Sequence, residues 1–434
     1  MTASAAARPS WREKVAGLRA QPDTQSRLLS GSLIMLIGSG LVSILNFAYN
    51  VAVARLLGPA EFGHTAVAIT LLMLVSALTL SFQLVCAKLV ARNQVAEAKA
   101  AVYQTLLRRA WKVGLALGAA LMMASGPVAR YLNLPSAWMI GVLALGFAFY
   151  VPVGARRGGM QGMCCFRRLA SSYVIEALLK VTGAVLLVEF GLGALGAITA
   201  ISLSVICAYF LPVPAELKTG TNTRVPASFG EGVQAIVFFV GQVIISNCDI
   251  VLVKHFFQPD TAGLYAAIAL VGRVVYFASW MVVSAMFPIS AGANPAQDRK
   301  FILAVPVTFV VAISGAFIAL MALAPDYVLH LVFGPHFTQG QSVDGLLALY
   351  AAMSGVYSLS VVLITYEMSR KVANTGWLQL VVAFAIVAGI FFFHATLGQV
   401  VMVQLVAMAA LLVLVAVIPF LRRGQAPTVL QEAA

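Results

Sequence analysis

About twelve blocks of some twenty mostly apolar residues run through this chain, each long enough to cross the ~30 Å hydrocarbon layer of a bilayer as a helix. Backbone placed in hydrocarbon must satisfy its N–H and C=O groups internally, so such blocks fold as membrane-spanning helices. The composition agrees, with 61% hydrophobic and 10% charged residues against ~45–50% and ~25% in soluble proteins. A water-soluble protein is excluded. Residues 1–27 are polar and basic, unlike the short apolar region of a cleavable signal peptide, so the first block is expected to stay in the membrane.

The predicted spans lie near 31–53, 62–85, 113–132, 138–155, 173–191 and 194–213, then near 230–253, 262–287, 301–323, 341–364, 375–393 and 398–420. The net charge of +13 would suggest nucleic acid in a soluble chain, but here it serves to orient the spans, because Lys- and Arg-rich loops stay cytoplasmic. With the N-terminus inside, the outer side receives only Arg55, Arg130 and Lys254, while Lys180 and Arg273 fall within spans. The other 23 of the 28 Lys and Arg, Arg157 among them, collect on the cytoplasmic side. The expected organisation is a cytoplasmic N-terminus (1–27), a six-helix bundle (28–214), a cytoplasmic linker (215–228), a second six-helix bundle (229–421) and a cytoplasmic tail (422–434). Residues 88–112 are expected to lie along the inner surface as an amphipathic connector. Outer loops are short, the longest running from about Ala324 to Gly340.

The two halves repeat at an offset of about 200 residues. Asn50 to Arg55 corresponds to Asp249 to Lys254, and Pro59, Gly63 and Ala66 correspond to Pro259, Gly263 and Ala266. An even number of helices separates the copies, so the repeats are parallel. The predicted fold is all-α and membrane-integral, with twelve helices in two parallel-repeat six-helix bundles around a central cavity, suited to alternating access.

An ionisable side chain in hydrocarbon costs at least ~2.5–3.5 kcal/mol, so each one marks cavity lining or pairing. Arg273 is the foremost candidate for an anion contact; the alternative is a structural salt bridge to Asp249. Glu176 and Lys180 stand four apart on one helix and are expected to pair. Arg55 and Lys254 stand at outer span ends, as ligand contacts or as interfacial anchors. Asn46, Asn50, Gln83, Gln242 and Asn247 can hydrogen-bond sugar hydroxyls or join helices. All five histidines fall at outer ends or loops. The five cysteines show no C-x-x-C spacing, so neither a disulfide framework nor a metal site follows. No H-E-x-x-H, Walker glycine loop or G-x-S-x-G elbow is present, which argues against an enzyme.

Three motifs carry a family resemblance. Ala54 to Gly63 reads A-R-L-L-G-P-A-E-F-G; Arg157 Gly158 Gly159 Met160 Gln161 Gly162 precedes Phe166 Arg167; and a third run extends from Asp249 through Lys254, Ala262 Gly263 Leu264 Tyr265 and Gly272 Arg273 to Phe287 Pro288. The chain resembles the polysaccharide transporter (Wzx-type oligosaccharide-lipid flippase) family of the multidrug/oligosaccharidyl-lipid/polysaccharide exporter superfamily. Cys164 and Cys165 depart from its pattern. The resemblance implies movement of an undecaprenyl-pyrophosphate-linked oligosaccharide from the cytoplasmic to the periplasmic leaflet of a bacterial inner membrane, for surface or exopolysaccharide assembly. It implies no cofactor, and as partners the lipid-linked oligosaccharide, membrane lipid, a glycan polymerase and other polysaccharide-assembly proteins, but no nucleic acid. Substrate contacts are expected from Arg273, Arg55, Lys254, Asp249, Lys180, Asn50 and Gln242. One alternative is a cation-coupled multidrug exporter of the same superfamily. It needs an acidic residue in the first helix of a repeat, which residues 31–53 lack and Asp249 supplies. The other is a membrane glycan polymerase or ligase, for which the outer loops are too short.

Overall fold

The computed structural model describes residues 22–93, 95–217, 233–279, 282, 299–337, 345–370 and 375–423, and the regular elements among them are helical. The first helical stretch, Pro22–Arg92, is interrupted at Gly58, where φ is 75° and ψ 179°. Only glycine takes that conformation without a Cβ clash, and Pro59, which lacks an N–H, opens the next helix. The stretch is therefore two crossings, α1 (22–57) and α2 (59–92). Next come α3 (Ala96–Met123) and the short α4 (Ser125–Tyr131), bent by 65° from α3. α5 (Ala137–Gly162), α6 (Phe166–Leu187) and α7 (Gly193–Phe210) complete the first half, with Gly191 (φ 85°) and Gly193 (φ 52°) turning α6 into α7.

In the second half, α8 (Val233–Ile245) and α9 (Cys248–Phe256) form one crossing broken at Ser246 and Asn247. α10 (Pro259–Gly272) resumes as helix at 274–279. It is followed by α11 (Arg299–Leu323), α12 (Pro325–Phe333), α13 (Leu346–Arg370), α14 (Leu378–Phe392) and α15 (Leu397–Arg423).

Eight helical stretches among the described residues are long and apolar enough to cross a membrane. Two of them, Leu33–Arg92 and Phe166–Phe210, have 60 and 45 residues, or about 90 and 68 Å at 1.5 Å per residue, and each makes two crossings of a ~30 Å layer. With the bent pair α3–α4 and the shorter α14, the described residues make twelve crossings. They form two six-helix bundles, α1–α7 and α8–α15, as the parallel repeat predicted.

α5 organises the first bundle because a stripe of small residues lets other backbones approach it. A Cβ at Gly154 would sit 2.6 Å from Thr79 Cγ2, one at Gly158 2.8 Å from Cys86 Cβ, and one at Gly162 2.7 Å from the Ala87 carbonyl oxygen, all on α2. Two expectations differ from the structure here. α5 continues to Gly162 instead of ending near residue 155, so Arg157, assigned to a cytoplasmic loop, lies inside the bundle at 3% exposure. The expected surface connector at 88–112 is absent as a separate element. Residues 96–112 are the first turns of α3, and Ala100, Tyr103, Leu106 and Ala110 are buried, with α3 lying against α5. The stretch expected to be the longest outer loop contains a helix, α12. The linker at 215–228 begins with a short turn, Ala215–Leu217, and otherwise lies outside the described residues, as does the Phe287 Pro288 end of the third motif.

Candidate functional site

Side chains able to meet a polar substrate fall in three places: one in each bundle, and one at the end where the two repeat elbows cross.

In the second bundle, Asp249 on α9 is fully buried, and an unpaired carboxylate there would be costly. Arg273 Nη2 donates to its Oδ1 at 2.8 Å, while Tyr350 and Tyr265 hydroxyls donate to Oδ2 at 2.8 and 3.0 Å. Arg273 Nε donates to the Tyr350 oxygen at 3.0 Å, and Gln404 Nε2 to the Tyr265 oxygen at 2.9 Å. Burial and these donors hold the pair together, so the salt bridge weighed for Arg273 exists and turns the guanidinium toward the bundle interior. The Arg273 side chain remains 16% exposed, and its Nη1 has no hydrogen-bond partner among the described residues. Nearby, Gln242 Nε2 donates to the Tyr276 hydroxyl, and Tyr276 stacks on Tyr357, whose hydroxyl donates to Gln379 Oε1 at 2.8 Å.

The first bundle holds a matching network centred on Arg157. Its Nη2 meets Glu176 Oε2 at 2.5 Å and the Ser172 carbonyl at 3.2 Å, and its guanidinium lies 3.8 Å from the Tyr173 ring centroid. The Tyr173 hydroxyl donates to Gln83 Oε1 at 2.8 Å, and Gln83 Nε2 to Gln161 Oε1 at 3.0 Å. The expected Glu176–Lys180 bridge is thus replaced, because the buried Arg157 takes the carboxylate. The Lys180 ammonium instead donates to Asn46 Oδ1 and lies 5.3 Å from the Tyr49 ring centroid. Asn50 turns back on its own helix, donating to the Asn46 carbonyl at 2.8 Å.

The third place is the seam between bundles, where the elbows meet. A Cβ at Gly63 would sit 3.0 Å from Gly263 N and 3.2 Å from the Pro259 carbonyl oxygen, and one at Gly263 would overlap the Pro59 carbonyl. The two copies of the repeat cross backbone on backbone. Around the crossing, Arg55 donates from Nε to the Val332 carbonyl at 2.8 Å and from Nη2 to that of Leu331. Asn133, with φ 50°, donates to the carbonyls of Lys254 at 3.2 Å and His255 at 2.9 Å. The His255 ring stacks on Tyr131 at 3.8 Å between centroids, and its Nδ1 faces the Tyr131 carbonyl at 2.7 Å. Phe62 packs on Phe333 and Phe337. A pocket of about 380 Å³ lies beside the crossing, lined by Arg55, Gly58, Pro59, Asp260 and His336 among others. Lys254, expected at an exposed span end, is 1% exposed.

Arg273 and Asp249 therefore come together. Lys180 meets Asn46, and Asn50 bonds back to the Asn46 carbonyl of its own helix. Arg55 and Lys254 share the elbow seam. Arg157 was missed as an interior residue, although glycines four apart flanking it at 154, 158 and 162 signal one continuous, closely packed face. Tyr350 and Gln404 carry no sequence signal that separates them from other span residues.

Two bundles of helices joined as parallel repeats, with paired charges inside each, define an all-helical integral membrane protein. An inward-facing conformation of a multidrug resistance MATE family transporter of the MOP superfamily superposes with a TM-score of 0.73 at 13% identity, over 88% of this chain and 95% of that one. The MATE multidrug transporter DinF-BH, solved as a complex, gives 0.63 at 17% identity, over 93% and 96%. An outward-facing conformation of a multidrug resistance MATE family transporter gives 0.57 at 15% identity, over 93% and 97%. A comparison with curated proteins found no match. The chain belongs to the polysaccharide biosynthesis protein family, whose model matches residues 52–341.

Proposed function

We propose that this protein is a flippase that carries an undecaprenyl-pyrophosphate-linked oligosaccharide from the cytoplasmic to the periplasmic leaflet of a bacterial inner membrane, with both termini cytoplasmic. The observation that carries the reading is the conjunction of membership in a polysaccharide biosynthesis family with charged networks inside both bundles of an otherwise apolar protein. A glycan and a pyrophosphate cannot cross hydrocarbon unaided. The 16% exposed Arg273 offers charge-assisted hydrogen bonds to phosphate oxygens, while Lys180, Asn50 and Gln242 supply further polar contacts for the head group. With the repeat elbows crossing backbone on backbone at one end, this reading assigns the opening between the bundles to the other, cytoplasmic end. The higher TM-score with the inward-facing structure supports that reading. Outward movement of an anion is favoured by an inside-negative potential, at ~2.3 kcal/mol per charge per 100 mV. The delivered glycan then passes to a polymerase and other polysaccharide-assembly proteins.

The cation-coupled exporter reading rested on Asp249. Its carboxylate already holds Arg273 and two tyrosine hydroxyls, so the guanidinium stands where a coupling cation would bind. Purified protein in liposomes with an imposed potential decides between the readings. Uptake of a fluorescent lipid-linked oligosaccharide is expected; transport of a cationic rhodamine dye with no oligosaccharide uptake would refute the flippase.

A further inference from the structure

Lys254 is 1% exposed and His64 7% exposed, and neither Lys254 Nζ nor His64 Nδ1 has a hydrogen-bond partner among the described residues. They belong to different bundles. Val251 of α9 packs on a cluster containing Val67, Ala129, Leu132 and Ile140 of the first bundle. Residues three apart on a helix share a face, so Lys254 follows Val251, and His64 accompanies Val67, onto the surfaces that the bundles press together. Both side chains therefore face the same inter-bundle contact, and Asp260, at the start of α10, lines the pocket beside that seam with Arg55. Asn133 fixes the position by holding the Lys254 carbonyl at 3.2 Å.

An ammonium has three donors and no acceptor, and an imidazole contributes one donor when neutral and two when protonated. An oxyanion supplies acceptors to both and a countercharge to the ammonium. A buried ammonium lacking an acceptor also works against the closed seam, because burial removes its water without replacing it.

We propose that Lys254 and His64 form a second anion-binding site, sealed within the elbow seam in this conformation and uncovered when the bundles part there. It takes phosphate oxygens of the substrate as the head group moves out. The identity of that anion rests on the flippase reading; the gating does not. Arg273 and Lys254 then act in sequence, the first within its bundle and the second at the exit.

The test uses the full chain in nanodiscs, with Cys164, Cys165 and Cys207 replaced by serine. Spin labels are attached at Trp138→Cys and Phe392→Cys, native positions that are 75% and 82% exposed. Inorganic pyrophosphate and undecaprenyl pyrophosphate serve as probes. In the parent, either probe is expected to raise the population with a widened 138–392 distance. Lys254→Met, nearly equal in length and able to stay buried, is expected to lower the probe-free open population and to raise the half-maximal probe concentration at least tenfold. His64→Leu is expected to raise that concentration about threefold. A probe response that is unchanged in Lys254→Met overturns the proposal, and so does a parent that responds to neither probe. Oligosaccharide uptake by the parent in liposomes is scored separately. A response to inorganic pyrophosphate in a protein that flips no lipid-linked sugar retains the anion site and refutes the flippase.

Discussion

Replacing Gly263 by alanine places one methyl group at the point where the two elbows cross. Its Cβ would overlap the Pro59 carbonyl, and the atoms it meets are backbone, so no flexible side chain can give way. The bundles must separate by on the order of 1–2 Å to restore ordinary contact. Overpacking of one methyl group costs ~1–3 kcal/mol, which shifts the ratio of closed to open elbow about fivefold to 150-fold. Alanine also favours the helix by ~1 kcal/mol. That gain acts in both conformations and cancels in the ratio. Gly63→Ala is the graded control: its Cβ would lie 3.0 Å from Gly263 N and 3.2 Å from the Pro259 oxygen, so a few tenths of an ångström suffice and the shift should stay under about fivefold. The 138–392 spin-label distance distribution reads both variants. An unchanged distribution in Gly263→Ala, or a larger effect from Gly63→Ala, would show that the crossing is not a gate.

Other expectations concern the charged networks. On the flippase reading, Arg273→Ala should abolish oligosaccharide uptake in liposomes while the protein still inserts, and it should destabilise the protein by ~3–5 kcal/mol because Asp249 is left buried without its cation. The double replacement Asp249→Asn with Arg273→Gln should recover most of that stability in detergent melting curves but no transport; a double variant as unstable as the single one would mean the pair is not the unit described. Glu176→Gln should lower the melting temperature by removing the partner of Arg157, and a variant that melts with the parent would contradict that pairing. Arg55→Ala should weaken the closed elbow by ~1 kcal/mol, or about fivefold, a modest effect because the side chain is exposed, and the same spin-label pair measures it.

Crossing number and duplication were legible because both are written in one dimension, as blocks of apolar residues and as a repeated Pro and Gly four apart. The pairing of Arg273 with Asp249 was one of two readings at sequence level; what decides it is the approach of Tyr350 from α13 and Tyr265 from α10, which no local pattern encodes. Arg157 was misplaced because hydropathy ends a span at the first charge, whereas close packing along a glycine stripe carries α5 another two turns into the bundle. Glu176 was assigned the wrong partner for the same reason. The i,i+4 rule sees Lys180, but a cation arriving from a neighbouring helix takes the carboxylate. The burial of Lys254 was hidden because the surface covering it belongs to the other repeat.

The clasps of the elbow seam share one property: Arg55, Asn133 and His255 all reach main-chain oxygens. An acceptor of that kind survives almost any substitution at its own position, so Leu331 and Val332 can drift in sequence while the joint persists, whereas Tyr131 also holds His255 by stacking its ring. Beyond that stack, only the reaching residues are answerable for it. A saturation scan of this region should therefore be lopsided, intolerant at a few donors and permissive at the residues they touch, and orthologues should keep the fastening while rewriting half of its surroundings.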